Sequence, residues 1–75
     1  MKRTQTEPKF KDGWGDAIRE LREYRGYSQK DLAGLLNVSK ATVSKWEREV
    51  MVPSLDISID LASILMVDIE TLFEI

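Results

Sequence analysis

The chain has 75 residues, of which 43% are hydrophobic and 32% charged, with a formal net charge of −2 and neither cysteine nor histidine. This length permits one compact domain, and the composition is that of a globular protein. The missing cysteine and histidine exclude a disulfide scaffold, thiolate or imidazole metal sites and the common nucleophile–base pairs, so we expect no enzyme and no cofactor. The longest apolar run spans four residues and no signal peptide is seen, which predicts a cytoplasmic protein.

Charge is unevenly distributed along the chain. Residues 1–13 carry +2 and residues 14–53 carry +1, whereas residues 54–75 carry −5 and no basic residue. A slightly acidic total speaks at first against nucleic acid, because proteins that bind it are often basic. The acidity belongs to the C-terminal third alone, so the remainder is free to present a basic face.

Five short helices are predicted in chain order, which makes an all-α, compact five-helix bundle. Residues 1–13 contain Pro8 and Gly13 and predict a flexible N-terminal arm, and residues 14–75 form the domain. Apolar residues at helical spacing and capping residues before and after them define the helices. The predicted helices are Gly15–Arg25, a second that follows the capping box begun by Ser28, Lys40–Arg48, Leu55–Leu65 and Ile69–Phe73.

The segment Ser28–Arg48 has the proportions of a DNA-binding helix-turn-helix, with two short helices joined by a three-residue turn. On a helical wheel, one arc of the second of these helices holds three cations, two small residues and no acid. Such a face suits a DNA groove, because small residues allow close approach while cations meet phosphates and guanine edges. Its members are Lys40, Ala41, Ser44, Lys45 and Arg48. The alternative for these cations alone is an ordinary solvated helix face.

Residues 15–73 resemble the helix-turn-helix family of the lambda and 434 phage repressors, Cro and the Xre-type regulators. The resemblance is collinear over about four-fifths of the chain. The stretches that carry it are Ile18-Arg19-Glu20-Leu21-Arg22, Tyr27-Ser28-Gln29-Lys30-Asp31-Leu32-Ala33, Val43-Ser44-Lys45-Trp46-Glu47, Pro53-Ser54-Leu55 and Leu61-Ala62.

This resemblance implies a sequence-specific transcriptional regulator of the repressor type that reads double-stranded DNA with Lys40–Arg48. Base edges would be read by Lys40, Ala41, Ser44 and Lys45. Phosphates would be bound by Gln29, by Ser39 and, on charge, by Arg48. It also implies a buried structural ion pair, Arg22–Glu47, and core positions for Val43 and Trp46.

Three helix ends depart from the family pattern, because Asn37, Glu49 and Met66 stand where glycine is usual. Asparagine tolerates left-handed backbone, whereas Glu49 and Met66 would each cost about 1 kcal/mol if that geometry is kept. Glu49 would also place a carboxylate near DNA phosphates, which predicts weaker or more selective binding.

The expected partners follow from the short recognition helix. One recognition helix reads few base pairs, so we expect a homodimer on a palindromic operator, through the region of the fourth and fifth helices or only on DNA. The apolar segment 50–52 is a candidate for self-contact. The alternatives are an antitoxin whose acidic C-terminal third contacts a protein partner, and an interaction module that has lost DNA affinity.

Overall fold

The computed structural model describes residues 9–74, with four α-helices in that range. They are α1 (Trp14–Tyr24), α2 (Gln29–Leu36), α3 (Lys40–Glu47) and α4 (Leu55–Leu65). A 3-10 turn, Ile69–Thr71, follows α4. Two short strands, β1 (Lys9–Phe10) and β2 (Phe73–Glu74), pair antiparallel. No helix in this part of the chain is long and apolar enough to cross a membrane.

The predicted fifth helix, Ile69–Phe73, is wrong in type and length. Its three-residue helical turn ends at Thr71, and Phe73 pairs with Phe10 across the two-stranded ribbon. The amide of Lys11 donates to the Leu72 carbonyl at 2.9 Å, which extends that pairing. An isolated segment of five residues cannot offset the cost of helix nucleation, so strand pairing satisfies its backbone instead.

The ribbon brings the end of the predicted N-terminal arm into contact with the domain. The ring of Phe10 stacks on that of Trp14, with centroids 4.4 Å apart. Both side chains pack against the buried core, to which the fully buried Leu72 belongs. The rest of the predicted arm, residues 1–8, lies outside the described residues.

The core lies where the four helices and the 3-10 turn meet. Trp46 and Val43, predicted to be internal, are buried at its centre, which confirms that assignment. Its fully or nearly fully buried members are Ile18, Leu32, Ala33, Val43, Trp46, Leu61, Leu65 and Leu72. Because α3 places Val43 and Trp46 inward, its opposite side is left to face outward.

Each α-helix ends in the same way, with a left-handed residue followed by a hydrogen bond from the next amide to a carbonyl five residues back, 2.9–3.0 Å long. The left-handed residues are Gly26 (φ 84°), Asn37 (φ 59°), Glu49 (φ 60°) and Met66 (φ 63°). The geometry that glycine would favour is therefore kept at all three substituted positions. At α4, the guanidinium of Arg25 donates from Nε to the Leu65 carbonyl at 2.8 Å, which adds a partner at that helix end.

Candidate nucleic-acid interface

The start of α3 is shaped by its N-cap, Ser39. The Ser39 hydroxyl oxygen accepts a hydrogen bond from the Thr42 amide at 3.0 Å and lies 2.8 Å from the Thr42 hydroxyl. The serine side chain therefore satisfies its own helix. What it leaves for an anion is the positive end of the helix dipole and the remaining first-turn amides.

The outward face of α3 carries the cations predicted to meet DNA. Lys40, Ala41 and Lys45 are exposed, and neither lysine forms an ion pair with any residue between 9 and 74. Arg48 is also exposed, and its Nε donates to the Ser44 hydroxyl at 3.2 Å. Ser44, predicted to read bases, is partly buried, and its hydroxyl orients Arg48 through this hydrogen bond. An α-helix with its side chains is about 10–12 Å across, close to the width of the major groove.

Behind this face, α3 is tied to α1 by a buried ion pair. Arg22 Nε donates to Glu47 Oε2 at 2.6 Å and Nη2 donates to Oε1 at 3.2 Å, a two-pronged contact between side chains that are both more than 90% buried. Arg22 Nη1 donates to the Tyr27 carbonyl at 2.8 Å. The hydrogen bond to Glu47 raises the pKa of Arg22 above its usual value, so the guanidinium keeps its positive charge in the folded protein.

Gln29 joins the same network from α2. Its Nε2 donates to Glu47 Oε1 at 3.0 Å, and its side chain is partly exposed. One carboxylate therefore receives donors from the first and second helices while belonging to the third. This contact orients the amide of Gln29 and leaves its carbonyl oxygen and second N–H outside the bond.

A second link between α1 and α3 was missed by the sequence reasoning. Glu49 Oε2 accepts a hydrogen bond from the Gly15 amide at 2.9 Å, so the carboxylate satisfies the first turn of α1. The backbones are close here, because a Cβ on Gly15 would lie 2.6 Å from the Glu47 carbonyl oxygen and 2.9 Å from that of Trp46. The absent glycine at position 49 is the only signal in the sequence, and it does not identify the partner.

The comparisons agree with this geometry. The profile of the helix-turn-helix family matches residues 18–72. A Thermococcus kodakarensis protein that carries the name of an HTH-type transcriptional regulatory protein is 46% identical over 50 residues, which cover 67% of this chain and 16% of that protein. The matched segment therefore spans about one sixth of that relative.

Two solved structures share the arrangement of helices. The biofilm master regulator SinR, in complex with DNA, is 30% identical with a TM-score of 0.71, over 77% of this chain and 94% of the SinR chain in that structure. The P22 c2 repressor, in complex with a synthetic operator, is 25% identical with a TM-score of 0.74, over 80% and 91% of the two chains. The profile match, which covers most of the chain, and the shared fold show that this chain belongs to the helix-turn-helix family of phage-repressor-like DNA-binding domains.

Proposed function

We propose that the chain is a sequence-specific, repressor-like transcriptional regulator that inserts α3 into the major groove of double-stranded DNA. The observation that carries this proposal is the outward face of α3, with three exposed cations and no acid. Two interhelical links, Arg22–Glu47–Gln29 and Gly15–Glu49, hold that helix against the domain. A rigidly held helix loses little freedom on binding, which favours discrimination between sequences.

The roles of the face divide between bases and phosphates. Lys40 and Lys45 donate to guanine edges, Ala41 approaches a thymine methyl group, and Ser44 serves the bases while it orients Arg48. Arg48 and the start of α3 at Ser39 meet phosphates. Gln29, oriented by Glu47, meets a phosphate from the start of α2. We propose these as the DNA-contacting residues.

The first test is the affinity for mixed-sequence duplex DNA across a salt series. On mixed-sequence DNA the two lysines find no matching guanine edges and lie against phosphates, as Arg48 does. With three phosphates neutralised, the logarithm of the binding constant falls against the logarithm of salt with a slope of about −2.7 per bound copy. A binding constant that does not change with salt, or no binding at low salt, would refute the proposal that the chain binds DNA. Lys11→Ala, which removes a cation next to the terminal ribbon, is the control and is expected to leave the slope unchanged.

The second test separates reading from positioning. Lys45→Ala is expected to lose about 1–3 kcal/mol of preference at particular base pairs, because it removes a base-edge donor. Gln29→Ala is expected to weaken binding to all sequences alike, because phosphates carry no sequence information. Equal losses for both variants on every sequence would refute this division.

We also propose that two copies pair on a palindromic operator and not in free solution. The segment Val50, Met51 and Val52 is uncharged and 64%, 40% and 63% exposed, which makes it available for contact between copies. Cooperative binding to two half-sites about 34 Å apart, with a monomer in sedimentation of the free protein, is the expected result. A stable dimer without DNA contradicts it.

A second candidate function, recognition of a protein partner as an antitoxin or interaction module would require, is favoured by the acidic residues of α4. Asp56 and Asp60 are exposed, and neither takes part in an ion pair with any described residue. Retained binding of a protein ligand without any DNA binding would favour this candidate over the first.

A further inference from the structure

The outward side of α4 carries aliphatic side chains that are about half or more exposed to solvent. Leu55 is 48% exposed, Ile59 52% and Met66, just after the helix, 71%. At about 100° per residue Leu55 and Ile59 lie roughly 40° apart on the helix, and Met66 follows at its left-handed C-terminal end. They form an apolar stripe along α4, in a domain small enough that each buried aliphatic group matters to its stability.

Acidic side chains border this stripe along one side. Asp56 and Asp60 are exposed, one turn apart, and adjoin Leu55 and Ile59 in sequence. Residues 54–75 contain no lysine, arginine or histidine to balance them. Neither aspartate forms an ion pair with a described residue, and one cation, Arg25, lies at the far end of the stripe, where it donates to the carbonyls of Leu65 and Met66. The surface therefore combines an apolar stripe with two unpaired acids.

The charge argues against a second copy of this chain as the occupant. A two-fold contact through α4 would bring Asp56 and Asp60 of both copies into one interface, and like charges across an interface disfavour association. For a partner with basic residues beside its apolar residues, the same acids attract and favour binding, whereas for a second copy they repel. The same charge distinguishes this surface from the outward face of α3, which is basic.

We infer that the stripe of Leu55, Ile59 and Met66, with Asp56 and Asp60, is a docking surface for an amphipathic helix of another protein. The partner carries aliphatic residues three and four positions apart, flanked by lysine or arginine. Leu55 and Ile59 lie about 6 Å apart, the spacing of one helical turn, so they match aliphatic pairs on a facing helix. This surface rests on α4 and does not depend on DNA binding by α3.

The test uses the full chain and a defined probe. A fluorescein-labelled peptide of 14 residues, with leucine at helical spacing and lysine elsewhere, is titrated with the protein at low salt and followed by fluorescence anisotropy. Ile59→Gln is expected to weaken binding about tenfold, through lost apolar burial. Asp60→Asn is expected to weaken it about threefold and to reduce the salt dependence.

Matched controls distinguish binding at this surface from non-specific hydrophobic or electrostatic binding of the peptide elsewhere on the protein. Leu35→Gln removes an aliphatic side chain of almost equal exposure, 55%, on α2, and Glu20→Gln removes an exposed acid on α1. Both are expected to leave peptide affinity unchanged. A second peptide with glutamate in place of every lysine is expected not to bind.

Three results would overturn the inference. These are no binding of the lysine peptide, equal losses in the α4 variants and their controls, or self-association of the free protein that Ile59→Gln abolishes. The last result would make the occupant a second copy. The α4 variants are expected to keep wild-type DNA affinity and urea midpoints within error, so a failure here is separable from a failure of DNA binding.

Discussion

Gly15 is required where α1 crosses the end of α3, and Gly15→Ala tests whether that close approach sets the packing. A Cβ at this position would lie 2.6 Å from the Glu47 carbonyl oxygen, 2.9 Å from that of Trp46 and 2.7 Å from the Cγ of Glu49. Two of these three atoms belong to the backbone of α3, so a rotamer change cannot relieve the contacts. The two helices have to separate.

The expected cost follows from two opposing effects. Inserting a methyl group into a packed site typically costs about 1–3 kcal/mol, and contacts with rigid backbone place this site near the upper end. Alanine regains about 1 kcal/mol over glycine through helix propensity. The net loss is therefore about 2 kcal/mol of unfolding free energy. The separation also stretches the bond between the Gly15 amide and Glu49, 2.9 Å in the wild type.

Gly34→Ala is the matched control, because Gly34 also lies within an α-helix but has no atom within 4 Å of its added Cβ. Only the propensity term acts there, so this variant is expected to gain about 0.5–1 kcal/mol. Urea unfolding followed by tryptophan fluorescence measures both, since Trp46 is 1% exposed in the fold. With a slope of about 1 kcal/mol per molar urea, the midpoints should move by about −2 M and +0.5 to +1 M.

The refuting result is a Gly15→Ala variant as stable as the wild type or stabilised like Gly34→Ala. That outcome would mean that α1 and α3 adapt without loss and that glycine is not required at their crossing. A loss of stability accompanied by altered base preference would show in addition that this crossing sets the orientation of the recognition helix.

Three further predictions concern the links between helices and their ends. Glu47→Leu is expected to lose about 3–5 kcal/mol of unfolding free energy in urea, because it leaves the buried charge of Arg22 unpaired. The double variant Arg22→Met/Glu47→Leu is expected to recover most of that loss. An equal loss in both variants would contradict a dominant effect of the unpaired charge. Met66→Gly is expected to gain about 1 kcal/mol of unfolding free energy, because glycine adopts a φ of 63° without strain. Glu49→Gly is expected to gain less, because it also loses the hydrogen bond to the Gly15 amide of α1. Equal shifts of the urea midpoint would show that this bond does not contribute to stability. The backbone hydrogen bond from Ser28 lowers the pKa of Asp31 below its ordinary 3.8, so its contribution to stability is complete above that value and is lost as pH falls through the folded pKa. Asp31→Asn should be less stable than the wild type at pH 7, with the difference shrinking as pH falls below 3.8; a difference that does not shrink in acid would exclude this cause.

The helix N-termini are features of the fold that neighbouring residues are sufficient to predict. Ser28, Ser39 and Ser54 accept hydrogen bonds from amides three residues ahead, and each begins a helix where its capping pattern predicts one. These bonds close within one turn, so neighbouring residues suffice to specify them. The basic outward face of α3 is equally local, because helical spacing together with the buried Trp46 sets which side remains outside.

The segment after α4 shows where local chemistry ends. Ile69–Phe73 follows a residue of capping type, Asp68, and has apolar spacing, which favours a helix. Yet Phe73 pairs with Phe10, more than sixty residues away in the chain. A short helix gains too little from its own hydrogen bonds to compete with such a pairing. The partner strand cannot be found from the segment itself, since two-residue strands have no periodicity.

The amino-acid sequence alone determined four helices, the serine N-caps of three of them and the cationic face of α3, because each depends on residues within a few positions of one another. The resemblance further implied the Arg22–Glu47 pair, whose geometry only the fold displays. Tertiary structure alone decided that Gln29 donates to Glu47, that the Glu49 carboxylate turns to the Gly15 amide, and that Gly15 and Gly34 are not equivalent. These depend on distances between helices, which the packing of the whole core sets and no local pattern encodes.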